Sequence, residues 1–171
     1  MWYIHATGQK FEYEQYTSED GLPSMQTYNI IQDSSGLIWV GTENGLVSFD
    51  GENFTRYTHP DLVDNDIIEA VLHSDGRIYF RNLNNQICYV EDGVVTYIPY
   101  EMGKGTIVRM VSFKNSFYVS YRYAQLGEIK NPRLIYELVE ASAENFEFRL
   151  TDISVFDLEN GRLFNECGKY E

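Results

Sequence analysis

The sequence YNIIQDSSGLIWVGTENGLVSFDGENFTRY at 28–57 constrains this chain most, because it returns in altered form 40 residues later. Gly36 recurs as Gly76, Trp39 as Tyr79, Phe49 as Tyr89 and Tyr57 as Tyr97. A fixed period of that size, made of short apolar runs and Gly-centred turns, belongs to repeat architectures in which one repeat is one supersecondary unit. Four short strands per period imply the blade of a β-propeller.

Within the first copy the strands read 28–32, 37–41, 46–49 and 54–57. Asp33-Ser34-Ser35-Gly36 supplies a turn in which Gly36 takes positive φ, and Asp50-Gly51 signals a tight hairpin. The second copy reads 67–72, 77–80, 86–90 and 94–98, with turns at 73–76, 81–85 and 91–93. Its Asp92-Gly93 lies 42 residues after Asp50-Gly51. The slip is absorbed in a hairpin turn, where length drifts more freely than in a core strand.

A third copy is fainter: strands at 107–113, 117–121, 134–139 and 146–150, with an insertion at 122–133. Leu134, Leu138 and Ala141 also share helical spacing, so a short helix over 134–143 competes with the third strand there. A fourth copy starts at 153–157, turns at Glu159-Asn160-Gly161 and continues through Phe164. At the other end, residues 13–17 resemble 54–58, an outermost strand without its own inner three. The expected fold is all-β: a partial propeller of about three to four four-stranded antiparallel blades, whose N-terminal strand is the outer strand of another blade. Residues 1–10 read as an extension and 11–171 as the propeller domain, with blades near 28–57, 67–98, 107–150 and a truncated 153–171. Open strand edges in such a chain imply self-association or a distorted ring.

The charge balance of 13 basic against 26 acidic residues, net −13, disfavours nucleic acid and anionic membrane surfaces as partners. No run approaches the roughly 20 apolar residues that span a bilayer. The start, Met1-Trp2-Tyr3-Ile4-His5-Ala6, lacks the basic end and long apolar core of a signal peptide. The chain therefore reads as cytosolic, or as a part from which targeting and anchoring segments are separate. Cys88 lies in an apolar run, as a small buried thiol does. Two isolated cysteines, Cys88 and Cys167, do not argue a disulfide by themselves.

Motifs for chemistry are sparse. Trp39 and Tyr79 sit mid-strand among apolar residues, which suits packing between blades, with an aromatic ligand platform as the other reading. The glycines punctuate strands and do not open a helix, unlike a phosphate loop. Asp61, Asp64 and Asp66 cluster without the spacing of a calcium loop, so a solvated loop is the first reading and a Ca²⁺ site the second. His5, His59 and His73 are scattered, giving no transition-metal grouping, and no nucleophile elbow occurs. The segment is expected to be non-catalytic, with no cofactor and no metal.

Asp33-x-x-Gly36-x-Ile38-Trp39-x-Gly41-Thr42-x-x-Gly45-Leu46-x-x-x-Asp50-Gly51 resembles the two-component regulator propeller repeat. Tyr16-x-x-x-Asp20-Gly21-Leu22-Pro23 resembles the lead-in that opens such domains. These repeats are similar to those in the sensor regions of Bacteroidetes-type hybrid sensor histidine kinases. The resemblance implies a non-catalytic sensor module on the periplasmic side of the inner membrane. It implies that the module binds a small-molecule or glycan signal or its own twin, and touches the membrane only through a transmembrane segment elsewhere. The second copy departs, with Arg81-Asn82 in place of Gly-Thr and Gln86-Ile87 in place of Gly-Leu. The alternative is an intracellular propeller scaffold for protein partners.

In the usual propeller arrangement, loops leading into each blade share a face with the turns between second and third strands. That face would gather 59–66, Glu43-Asn44, 81–85 and 122–133. Arg81, Asn82, Arg122 and Tyr123 are the contact candidates: guanidinium groups offer fixed donors and an aromatic face stacks on sugars. Ordinary loop polarity is the competing reading for each.

Overall fold

In a computed structural model, residues 13–100, 105–113, 115–123, 133–142, 145–150, 153–157 and 162–165 are described. They form three four-stranded antiparallel sheets and a two-stranded one, each a simple up-and-down meander. The first sheet holds β1 (Thr27–Gln32), β2 (Ile38–Thr42), β3 (Gly45–Phe49) and β4 (Phe54–Tyr57). The second holds β5 (Ile67–Leu72), β6 (Ile78–Asn82), β7 (Ile87–Glu91) and β8 (Val94–Ile98). The third holds β9 (Gly105–Phe113), β10 (Ser116–Tyr123), β11 (Arg133–Ser142) and β12 (Asn145–Leu150). β13 (Ile153–Asp157) pairs with β14 (Arg162–Asn165).

The all-β partial propeller expected from the repeat is what forms, and the third copy settles as strands throughout. β11 pairs with β10 over 133–138, Tyr136 opposite Val119, and with β12 over 136–142, so the competing helix is not formed across 134–142. A helix would have left two neighbouring strands with unpaired edges. The expected turn at 81–85 is also shorter: Arg81 and Asn82 belong to β6. The expected insertion at 122–133 loses its ends to strands, since Arg122 and Tyr123 lie in β10 and Arg133 in β11, while 124–132 lie outside the described residues. His5 and Cys167 lie outside them as well. Residues 13–17 carry no ladder among the described residues.

The repeat persists in backbone detail. The first strand of each four-stranded sheet skips one residue opposite its neighbour: Tyr28 in β1, Ile68 in β5 and Val108 in β9, at intervals of 40 residues. Such a bulge bends a strand and sharpens its twist.

Two apolar clusters fill the spaces between blades. Trp39, Leu46, Ile67, Ala70, Ile78, Phe80, Cys88 and Val90 join the first two. Tyr79, Ile87, Tyr89, Ile98, Ile107, Met110, Phe117 and Val119 join the next two. Trp39 and Tyr79 are thus buried packing residues, and neither offers a ligand platform. The Trp39 indole N–H donates to Asp33 Oδ2 at 2.8 Å. Burial alone would raise the Asp33 pKa, but hydrogen bonds from Ser35, Trp39 and Leu37 outweigh it and hold the carboxyl below its ordinary range.

Polar contacts also cross both interfaces at equivalent places. Asn29 Oδ1 in β1 accepts from the Ala70 N–H in β5 at 3.1 Å. Glu69 Oε1 in β5 accepts from the Met110 N–H in β9 at 3.2 Å. In the first blade Asn29 lies opposite Gly41, and in the second Glu69 lies opposite Arg81. The two positions therefore change together. A Cβ placed on Gly41 would lie 2.4 Å from the Ile67 carbonyl oxygen, so only glycine admits the β5 backbone there. Arg81 instead donates from Nε to Glu69 Oε2 at 2.7 Å, and Arg109 reaches Glu69 Oε1 at 3.6 Å.

Three outcomes are expected. Gly41→Ala forces the first two blades apart and lowers unfolding free energy in urea by about 1–3 kcal/mol. Arg81→Met strands the Glu69 carboxylate beside one exposed cation and costs about 3–5 kcal/mol, whereas Arg81→Met with Glu69→Gln recovers most of that, since the amide still accepts from Met110. Burial, then the Asp61 charge, pushes the Cys88 thiol up to about 12, so a disulfide reagent labels it only at the rate of unfolding.

Candidate functional site

The face formed by the entry loops and the tips of the β2–β3 and β6–β7 hairpins is built from one recurring joint. In the first two blades the loop entering the blade is tied to that blade's second hairpin. In the first blade the Glu43 N–H donates to the Gln26 carbonyl at 3.0 Å, and Asn44 Nδ2 donates to the Pro23 carbonyl at 3.1 Å. Ser24 Oγ donates to Glu43 Oε2 at 3.1 Å. In the second, the Leu83 N–H donates to the Asp66 carbonyl at 3.2 Å. Gln86 then clasps the loop from both sides: its Oε1 accepts from the Val63 N–H at 2.7 Å and its Nε2 donates to the Asp61 carbonyl at 2.8 Å.

Thr42 and Asn82, at equivalent ends of β2 and β6, close these hairpins from within. Thr42 Oγ1 donates to the Gly45 carbonyl at 2.8 Å and accepts from the Asn44 N–H at 3.1 Å. Asn82 Nδ2 donates to Gln86 Oε1 at 2.9 Å and to the Asp64 carbonyl at 3.2 Å, while its Oδ1 accepts from the Gln86 N–H at 2.9 Å. An amide satisfies both the hairpin and the loop, which a threonine hydroxyl is too short to do. Asn85 beyond it stands at φ 62°, a left-handed turn position that asparagine tolerates.

These contacts place the expected site residues. Asn82 is 0% exposed and Arg81 7%, so both side chains are spent inside the protein: Asn82 on the loop, Arg81 on Glu69. In β10, Arg122 lies opposite Thr106 and Arg133, and Tyr123 opposite Gly105. Arg81 and Asn82 sit on the second blade and Arg122 and Tyr123 on the third, so no single strand gathers all four. Asp61, Asp64 and Asp66 do not converge on a cation position. Asp64 Oδ1 accepts from the Asp66 N–H at 3.2 Å and its Oδ2 accepts from Asn84 Nδ2. Among the described residues no set of three or more carboxylate, histidine or cysteine side chains forms a metal cluster.

What the face presents outward is different. Val63 is 78% exposed and Leu83 55% exposed, flanked by exposed Glu43, Asp61 and Asn84. Neither Val63 nor Leu83 belongs to a motif that marks a contact residue in the sequence. Their signal is position: each stands in a loop or turn, outside the strand pattern. Val63 and Leu83 are thus apolar side chains left exposed on a loop and a turn that backbone hydrogen bonds tie together.

Residues 21–44, which run from the lead-in loop through β1 and β2 to the first of these hairpins, match the family model described as two component regulator propeller. Over 54 residues the chain is 39% identical to histidine kinase P4 of Formosa agariphila, a stretch covering 32% of this chain and 4% of the kinase. Among solved structures it is similar to the extracellular domain of a putative hybrid two component system from B. thetaiotaomicron. That likeness has a TM-score of 0.63 at 16% identity and covers 92% of this chain and 21% of the other. A streptogramin B lyase gives a TM-score of 0.59 at 15% identity, over 88% of this chain and 55% of the lyase. At such identities the structural likenesses speak for the fold alone, a β-propeller. The chain spans a small fraction of the kinase's length and about a fifth of the extracellular domain's. Residues 21–44 are thus similar to a two component regulator propeller repeat, and they lie within a propeller fold.

Proposed function

We propose that this chain is part of the sensor of a bacterial two-component histidine kinase and performs no catalysis itself. The observation that carries the reading is the match of residues 21–44 to the two component regulator propeller, with the 39% identity to a histidine kinase beside it. In this reading the module stands on the periplasmic side. It takes up a signal on the rim formed by the entry loops, and self-association conveys that event to the rest of the receptor. A small molecule or neutral glycan suits the rim, because the net charge of −13 repels polyanions and the exposed Val63 and Leu83 offer apolar contact. The hydrogen-bonded joints behind the rim mean that little ordering is needed on binding.

Isothermal titration of the chain against a panel of neutral oligosaccharides tests this. At least one is expected to give saturable heat that Val63→Asp and Leu83→Asp weaken together, with the melting temperature unchanged. Silence across the panel, or binding indifferent to both substitutions, sinks the rim as the receptor surface.

A further inference from the structure

The residue that β1 leaves out of its ladder is aromatic, and it lies where β1 runs beside β5. A bulge re-aims the side chain of the residue it skips. Tyr28 is 38% exposed, whereas its equivalent Ile68 is half-buried. Gln26 Nε2 donates to the Tyr28 hydroxyl at 2.9 Å and so fixes one end of the ring. Partial burial, then the charges of Asp66 and Glu43, push the Tyr28 phenol above its ordinary pKa, with the Gln26 hydrogen bond opposing them. Glu43 belongs to the β2–β3 hairpin of the first blade and Asp66 to the loop entering the second. A carboxylate from each blade therefore stands near the ring.

Neither carboxylate is neutralised. Glu43 Oε2 accepts a hydrogen bond from the uncharged Ser24 hydroxyl at 3.1 Å. Asp66 meets its neighbours through its backbone: its carbonyl accepts from the Leu83 N–H and its N–H donates to Asp64 Oδ1. Among the described residues no basic side chain forms a salt bridge to either one. Arg56 lies against Gly45 in the same hairpin and pairs with neither. The surrounding stretches 22–26, 43–44, 59–66 and 83–86 hold no lysine or arginine. Elsewhere the protein does pair such groups, Glu69 with Arg81 and Glu91 with Arg77. An aromatic ring attracts a cation to its face through its quadrupole, and carboxylates accept the cation's N–H donors. The same field repels an anion and offers a neutral ligand no such gain.

We infer that Tyr28, Glu43 and Asp66 bind a protonated amine carried by a small molecule. The backbone bonds from Glu43 to Gln26 and from Leu83 to Asp66 hold both carboxylates' segments in place before the ligand arrives. The inference stands on this cluster and does not depend on the sensor reading, whose contacts are Val63 and Leu83.

The test is isothermal titration of the chain with a glucosamine oligosaccharide, with its N-acetylated form of equal length, and with spermidine, at a slightly acidic pH that keeps the amines protonated. The glucosamine oligosaccharide is expected to give saturable heat that weakens as salt rises, and the N-acetylated form to bind about tenfold or more weakly. Spermidine binding as tightly as the sugar shows that the amine alone is recognised; weaker spermidine binding shows that the sugar ring adds to it, and both uphold the site. Tyr28→Leu is expected to weaken binding by about tenfold, as is Glu43→Gln combined with Asp66→Asn, while Tyr28→Phe keeps it and every melting temperature stays as in the parent. Equal binding of the acetylated and free-amine sugars overturns the proposal and leaves the sensor's rim in place. Binding that survives both Tyr28→Leu and the double carboxylate change overturns it as well, as does the absence of heat from both amines. Binding that fails with Tyr28→Leu yet ignores Val63→Asp and Leu83→Asp upholds this site and sinks the rim around Val63.

Discussion

The hydrogen bond from one blade's inner strand to the backbone of the next is the contact on which this arrangement turns. Asn29 and Glu69 each reach across to an N–H that has no partner in its own ladder. An inner strand pairs on one side only, so half of its backbone groups point away from the sheet. Burying those groups under an apolar neighbour without an acceptor would cost more than the packing returns. One side-chain oxygen per blade removes that cost and fixes the angle at which the next blade docks.

From this constraint the differences between blades follow as matched pairs. Where the acceptor is the short Asn29, the facing residue is Gly41 and the next blade's Ile67 carbonyl presses close. Where it is the longer, charged Glu69, Arg81 faces it and neutralises it in the interior. Asn82 replaces Thr42 beside it and gains the reach to hold the entry loop at Asp64. The departure of the second copy from the repeat pattern is therefore a compensated substitution of one joint by another. Its consequence reaches the rim, where the loop so held leaves Val63 exposed.

Much of the fold was legible in the sequence. Gly36, Gly76, Asp50-Gly51 and Asp92-Gly93 mark turns because backbone sterics leave those conformations to few residues, and the structure places all four glycines at positive φ. Trp39 and Tyr79 were legible as core because a large aromatic in mid-strand has to be covered. The candidate site was much less legible. Arginine and asparagine in a turn-like stretch read as exposed contacts, yet Arg81 and Asn82 end in the interior. Their partners, Glu69 and Asp64, are 12 and 18 residues away in sequence, and no local pattern records such pairings.

The sequence by itself determined the period, the strands and turns of the first two copies apart from the extent of the 81–85 turn, and the likeness of residues 21–44, because each rests on local backbone preference or on residue identity. Tertiary structure alone decided which polar residues face water, that Gly41 is required by the approach of Ile67, and that the inner strands skip residues 28, 68 and 108. Those properties belong to pairs of surfaces brought together across 40 residues, and a side chain's exposure is fixed only when its neighbour arrives. Ile30 and Ala70 hold the same place in the repeat, and what separates them is the blade that covers one of them.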